Sequence, residues 1–156
     1  MPNTKAVGVA FADPEFESVS VTGAVSAASA AVTGAVTAAS VSGTTVTASG
    51  SLVIKSATVA AAGSTQGNAA AVAAGFTLVT AADGTKGVVL PAASAGLVVI
   101  IKNADAANAI LKVYPASGDA INALAANASY DMAAKTSMLL VAYDATTWYT
   151  VPLLAS

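Results

Sequence analysis

Four carboxylates in the second half of the chain, Asp105, Asp119, Asp131 and Asp144, recur at intervals of fourteen, twelve and thirteen residues. A regular set of acids is what a hydrolase or a metal site would use. None of the four has a second acid close in sequence, whereas glycoside hydrolysis needs two facing carboxyls. Each falls in or beside a turn-forming stretch, where Asp caps the backbone and stays solvated. That placement predicts that replacing Asp105, Asp119 or Asp144 changes little. Asn103-Ala104-Asp105 opens like a calcium loop but lacks the following acid, the glycine and the terminal Glu of an EF-hand, so no metal is assigned. The chain contains no His and no Cys, and all six of its basic residues are Lys. The usual proton shuttle, thiolate nucleophile, transition-metal ligands and bidentate phosphate clamp are therefore missing. Ser42-Gly43 and Ser117-Gly118-Asp119 place serines beside glycines, but a serine nucleophile needs a base and no Lys stands beside either in an elbow. The expectation is a protein that is not an enzyme, with no cofactor and no catalytic residues.

Aromatic side chains are the other groups with binding chemistry, and five of them come late: Tyr114, Tyr130, Tyr143, Trp148 and Tyr149. Flat faces stack on sugars or bases, so Tyr130, Tyr143, Trp148 and Tyr149 form one candidate contact set. The competing reading, favoured here, makes them the large core and interface residues of a small-residue domain. Trp148 and Tyr149 are adjacent on an extended run, so one faces the core and the other a surface.

Charged residues make up only 9% of the 156-residue chain, against 56% hydrophobic, and the formal net charge is −2. Without a basic stripe, nucleic-acid binding is not expected. The mean hydropathy of +0.73 comes from Ala and Val diluted by Ser, Thr and Gly, so no membrane span is read.

The elements that would position these groups fall into three segments. Residues 1–18 form an arm holding Phe11, Phe16, Asp13, Glu15, Glu17 and Pro14, without a second element on which to bury its aromatics. Residues 19–56 hold an eleven-residue repeat, in which Val21-Thr22-Gly23-Ala24-Val25-Ser26-Ala27-Ala28-Ser29 is matched from Val32 to Ser40. Its pattern predicts short strands and tight turns, with helix and flexible linker as alternatives. Burying Ala gains little at roughly 25 cal/mol per Å², so a strip this thin needs intertwined copies of itself.

From residue 57 the pattern becomes that of a β-domain, with six strands expected at 76–79, 87–90, 97–101, 110–114, 137–143 and 147–151. Turn signals between them predict a small antiparallel β-sandwich or jelly-roll-like domain. Leu97 to Ile101 lacks polar alternation and is expected to be covered on both faces. Ala69 to Ala74 reads as a single helical turn. The fold class is all-β, and a core of this size favours self-association.

The opening Met1-Pro2-Asn3-Thr4-Lys5-Ala6-Val7-Gly8-Val9-Ala10-Phe11-Ala12-Asp13-Pro14-Glu15-Phe16 resembles small structural proteins of tailed bacteriophages. Gly87-Val88-Val89-Leu90-Pro91, Val113-Tyr114-Pro115-Ala116-Ser117-Gly118-Asp119-Ala120-Ile121-Asn122 and Trp148 share the resemblance. The family comprises head decoration, cement and head-fibre proteins, with related fibre tips that reuse the C-terminal module. It implies a virion protein at the capsid surface, commonly a homotrimer, whose N-terminal part contacts the major capsid protein while a β-rich domain projects. On that basis Phe11, Asp13, Pro14, Glu15, Phe16 and Glu17 are expected to bind the capsid. Val19, Val21, Val25, Val32, Val36 and Val46 are expected to line an intertwined trimeric stem. The alternative is a tail-fibre or adhesin module that binds a host cell-surface glycan through the aromatic set. An ice-binding solenoid and a polysaccharide hydrolase rank below both.

Overall fold

The structure, a computed structural model, describes residues 22–24, 26, 30–38, 40–43, 45–73 and 75–152. The chain divides into two compact units, Met1–Thr47 and Ala48–Ser156. The described residues of the first unit carry neither helix nor strand, and Val32, Val36, Val41 and Val46 are all exposed. The short strands expected in the repeat are thus not formed there. A strand needs a neighbour for its backbone groups, and one thin Ala/Val strip gains too little by folding on itself.

The second unit is built from ten strands: β1 Ser56–Ala60, β2 Ala70–Ala71, β3 Gly75–Thr80, β4 Gly87–Val89, β5 Val98–Asn103, β6 Leu111–Tyr114, β7 Ala120–Ile121, β8 Tyr130–Met132, β9 Ser137–Ala142 and β10 Thr147–Val151. Six form one sheet in the order β1-β3-β5-β9-β10-β7, and four form a second in the order β2-β4-β6-β8. The chain alternates between the sheets from β1 to β6, so each consecutive pair of strands is one coil of a solenoid-like stack. Successive coils lie parallel: Ser56 pairs with Phe76, twenty residues on, and Gly75 with Val99, twenty-four on. In the other sheet Ala70 pairs with Val88 and Gly87 with Lys112. The last coil runs the other way, with β8 antiparallel to β6, and β9 antiparallel to both β5 and β10.

This corrects the antiparallel sandwich or jelly roll expected from turn spacing. Five of the eight strand pairings are parallel, because turns such as Ala82-Asp83-Gly84 carry the chain across to the opposite sheet rather than back along a hairpin. Turn residues reverse a chain equally well in either arrangement. Ala70 and Ala71 are a strand, not the helical turn expected; a single 3₁₀ turn precedes them at Gln66–Asn68.

The core lies between the sheets. Val79, Val99, Ile101, Leu140 and Trp148 from one sheet pack against Val88, Leu111, Val113 and Met132 from the other, with Ile121 closing one end. These ten side chains are buried, and at roughly 1.5–3 kcal/mol each they supply the main driving force for the unit. The apolar run of β5 is covered on one face only: Val99 and Ile101 are buried, whereas Val98 is exposed. Gly87 is required by packing, since a Cβ there would stand 2.7 Å from the ring of Tyr114, which lies across it.

Candidate functional site

The segment Tyr114 to Asn122 carries the chain from β6 in the smaller sheet to β7 in the larger one, and the polar groups of Tyr114, Pro115, Gly118, Asp119 and Asn122 along it are tied to residues outside the segment. The Tyr114 hydroxyl donates to the Ser64 carbonyl at 3.0 Å, and the Pro115 carbonyl accepts from Gln66 Nε2 at 2.9 Å. Gly118 adopts φ +90°, a left-handed conformation that glycine enters without a Cβ penalty, and its N–H donates to Asn127 Oδ1 at 2.7 Å. Asp119 is buried, and its Oδ2 accepts from the Ala93 N–H at 2.9 Å. Ile121 enters the core. Asn122 Oδ1 accepts from the Thr150 N–H at 3.0 Å, and its Nδ2 donates to Thr150 Oγ1 at 3.1 Å. This run, the most specific part of the phage resemblance, works as a crossover staple.

A second polar centre surrounds Asn103 at the end of β5. Its side chain is fully buried, and Nδ2 donates to the Ala109, Met132 and Ala133 carbonyls at 3.0, 3.3 and 3.3 Å. Its Oδ1 accepts from the Asp105 N–H at 3.2 Å, while Asp105 Oδ2 accepts from the Ala109 N–H at 3.1 Å. The loop 104–110 is thereby closed by the protein's own groups. Asp105 and Asp119 are thus buried backbone acceptors, which corrects the expectation that they are solvated turn residues whose replacement changes little. The missed signal was the two-residue period of β5, which puts Asn103 on the inward face with Val99 and Ile101.

Two other acids do occupy exposed turns, and by the same device. Asp83 Oδ1 accepts from the Thr85 N–H at 2.9 Å, the Thr85 hydroxyl at 2.8 Å and the Lys86 N–H at 2.8 Å. The Lys86 backbone N–H first, then the Thr85 hydroxyl, hold the Asp83 carboxyl well below the usual carboxylate range. Asp144 Oδ1 accepts from the Thr146 N–H at 2.8 Å, and that bond is the main cause of its own lowered pKa. Lowered values suit stable anions and oppose proton transfer at neutral pH.

Asp131 pairs with Lys112 at 2.8 Å and lines a cavity of about 260 Å³ with Tyr130, Met132, Ala133, Thr136, Ser137 and Met138. That cavity holds one carboxylate, already paired, and no second acid. Among the described residues, no group of three or more His, Cys, Asp or Glu is placed to hold a metal ion. Also among them, no helix is long and apolar enough to cross a membrane.

The aromatic candidates separate. Trp148 is 0% exposed in the core, with its Nε1 lacking a hydrogen-bond partner, so it belongs to no exposed platform. Tyr130 is half-buried against the core. Tyr143 and Tyr149 are exposed at 71% and 41%, and their rings meet edge to face with centroids 6.0 Å apart. Among the stem valines Val32, Val36 and Val46 are exposed. Val19, Val21 and Val25, and all six arm residues from Phe11 to Glu17, lie outside the described residues.

No protein-family model, curated protein or solved structure matches the chain.

Proposed function

We propose that the chain is a non-enzymatic structural protein of a tailed-bacteriophage virion, a homotrimer that decorates and braces the capsid as a cement or head-fibre protein. The observation that supports this reading most is the outer face of the six-stranded sheet. Phe76, Ile100, Leu139 and Val151 stand in one lateral row there, with Val98, Val141 and Tyr149 in the next, and no charge lies in either row. Val98, Tyr149 and Val151 are exposed on this face and the other four are half-buried, and an accessible apolar patch of this kind supports an interaction surface. The polar groups elsewhere in the unit are engaged in holding the fold, and the resemblance of the arm and the Tyr114 to Asn122 segment supports the same class. In this reading residues 1–18 attach to the major capsid protein, with Phe11 and Phe16 in crevices of the shell and Asp13, Glu15 and Glu17 around the rim. Burial of one Phe contributes roughly 1.5–3 kcal/mol, and three arms multiply this into avidity.

The test is cosedimentation of the purified protein with capsids that lack it. The full chain is expected to bind at saturating, stoichiometric occupancy, and a chain without residues 1–18 to remain trimeric and unbound. Full binding by the truncated chain would contradict the attachment role.

A second reading rests on the exposed Tyr143–Tyr149 pair, which suits stacking on a sugar ring. It makes the domain an adhesin for a host cell-surface glycan. Glycan-array binding that disappears in Tyr143→Ala without loss of fold would favour it over decoration.

A further inference from the structure

The two sheets of the second unit end in β1 and β7 on one and in β2 and β8 on the other, and these edges are not alike. β7 and β2 are two residues long, and β8 is three residues long with Asp131 at its middle, paired to Lys112. Short edges and edge charges keep a sheet from pairing with another chain. β1 has neither: Ser56-Ala57-Thr58-Val59-Ala60 runs for five residues without a charge, a Pro or a Gly. Its inner side is occupied by β3, since the Phe76 N–H donates to the Lys55 carbonyl at 2.9 Å and the Ala61 N–H donates to the Thr80 carbonyl at 2.7 Å. The alternation of a strand then aims the N–H and C=O groups of Ser56, Thr58 and Ala60 away from β3, and all three residues are exposed.

Directly before this edge stands a run of strand-forming residues. Leu52, Val53 and Ile54 are exposed at 80%, 88% and 47% and lie in no strand. The run cannot pair with its own edge, because the shortest common hairpin loop takes about two residues and only Lys55 separates Ile54 from Ser56. The same edge of a second copy has no such restriction. We infer that residues 52–60 of two copies pair as antiparallel strands about a two-fold axis at Ser56, joining their six-stranded sheets edge to edge. Leu52 then lies opposite Ala60 of the second copy, Ile54 opposite Thr58 and Ser56 opposite Ser56, so every outward N–H and C=O from Leu52 to Ala60 gains a partner. Val53 lies opposite Val59, a side chain already packed against the core, and Lys55 lies opposite Ala57, so like charges do not face each other directly. On the outer face Ser56, Ala57, Thr58, Phe76 and Leu78 line a groove of about 380 Å³, and Ile54 of the second copy stands beside it, next to Thr58. This contact goes beyond the homotrimer proposed above and does not rest on it.

Because the chain has no Cys, a single introduced thiol reads the register in the full-length protein. Facing Cα atoms of an antiparallel hydrogen-bonded pair lie about 5.5 Å apart, within the span of a disulfide. Ser56→Cys is therefore expected to form a covalent dimer under mild oxidation. Thr58→Cys, also exposed, faces Ile54 rather than its own copy and is expected to cross-link at least about tenfold more slowly. Ile54→Pro lies outside β1 and removes an N–H that only the second copy would use. It is expected to slow the Ser56→Cys cross-link by at least about tenfold with an unchanged circular-dichroism spectrum. Faster cross-linking of Thr58→Cys would centre the contact on β1 alone, leave residues 52–54 unpaired and overturn the inference. Equal rates at both positions, or a rate that Ile54→Pro does not change, would show proximity without strand pairing and overturn it too. Absence of any cross-link would mean that no second copy occupies the edge. Each of these failures leaves the capsid role standing, which cosedimentation tests separately.

Discussion

Trp148 is the largest fully buried side chain, and its indole N–H has no hydrogen-bond partner. Packing and polar satisfaction oppose each other at this residue. Trp148→Ala is expected to lose about 3–5 kcal/mol of stability, as for an aromatic deleted from a core, while Trp148→Phe loses less than half of that because it also removes the orphaned donor. Urea unfolding of the two variants checks the ranking. Asn103 presents the reverse case, a buried amide with every group paired. Asn103→Ala takes a donor from the Ala109, Met132 and Ala133 carbonyls, of which Ala133 keeps the Thr136 hydroxyl, and an acceptor from the Asp105 N–H, while Asp119→Ala takes the acceptor from the Ala93 N–H; each is expected to lose about 1–3 kcal/mol in the same assay. The exposed turn acids contribute to the acid limb of stability. Asp83 and Asp144 have folded pKa values below those of the unfolded chain, so their contribution is fully present above the ordinary carboxylate range and fades as pH falls through the lowered values. The melting temperature is expected to decline on acidification below about pH 4, and less steeply in Asp144→Asn, whose side-chain oxygen still accepts from Thr146.

At the level of elements, stability is expected to grade across the six-stranded sheet. β5 and β9 have neighbours on both sides, whereas β1 and β7 stand at the edges. Hydrogen exchange of the dissociated chain is expected to be slowest in β5 and β9 and fastest in β1 and β7; uniform protection of β1 would show that its free edge is paired in solution. The sequence revealed the long strands and not their partners. Each of the six apolar runs read from Val, Ile, Leu and aromatic content is a strand, at 75–80, 87–89, 98–103, 111–114, 137–142 and 147–151. β2 and β7 are two residues long, and Ala70, Ala71 and Ala120 carry no side-chain signal to mark them. Parallel stacking stayed hidden because pairing is decided between strands about twenty residues apart. The polar centres were misread for a related reason: Asn103, Asp105 and Asp119 have the composition of turns, and only the phase of β5 and the crossover to β7 bury them. The split among the aromatics was legible, since adjacent positions on a strand face opposite ways, and Trp148 and Tyr149 do so.

At the scale of the whole molecule, the polar side chains described above hold the protein's own fold, while among the described residues valines of the first unit and Val98, Tyr149 and Val151 of the larger sheet are exposed. In the proposed reading such a chain completes its core with copies of itself, and many weak contacts repeated over a shell would brace it where a single copy would not. Gene neighbourhood bears on the choice between head and tail, major capsid and portal genes favouring decoration and tail and chaperone genes favouring a fibre. The most direct measurement is a cryo-electron microscopy reconstruction of the particle that carries the protein. The expected result is three-fold density standing on the capsid surface, with the N-terminal arms entering the shell. Density for this chain at the tail tip, or as isolated single copies without three-fold contact, would contradict it.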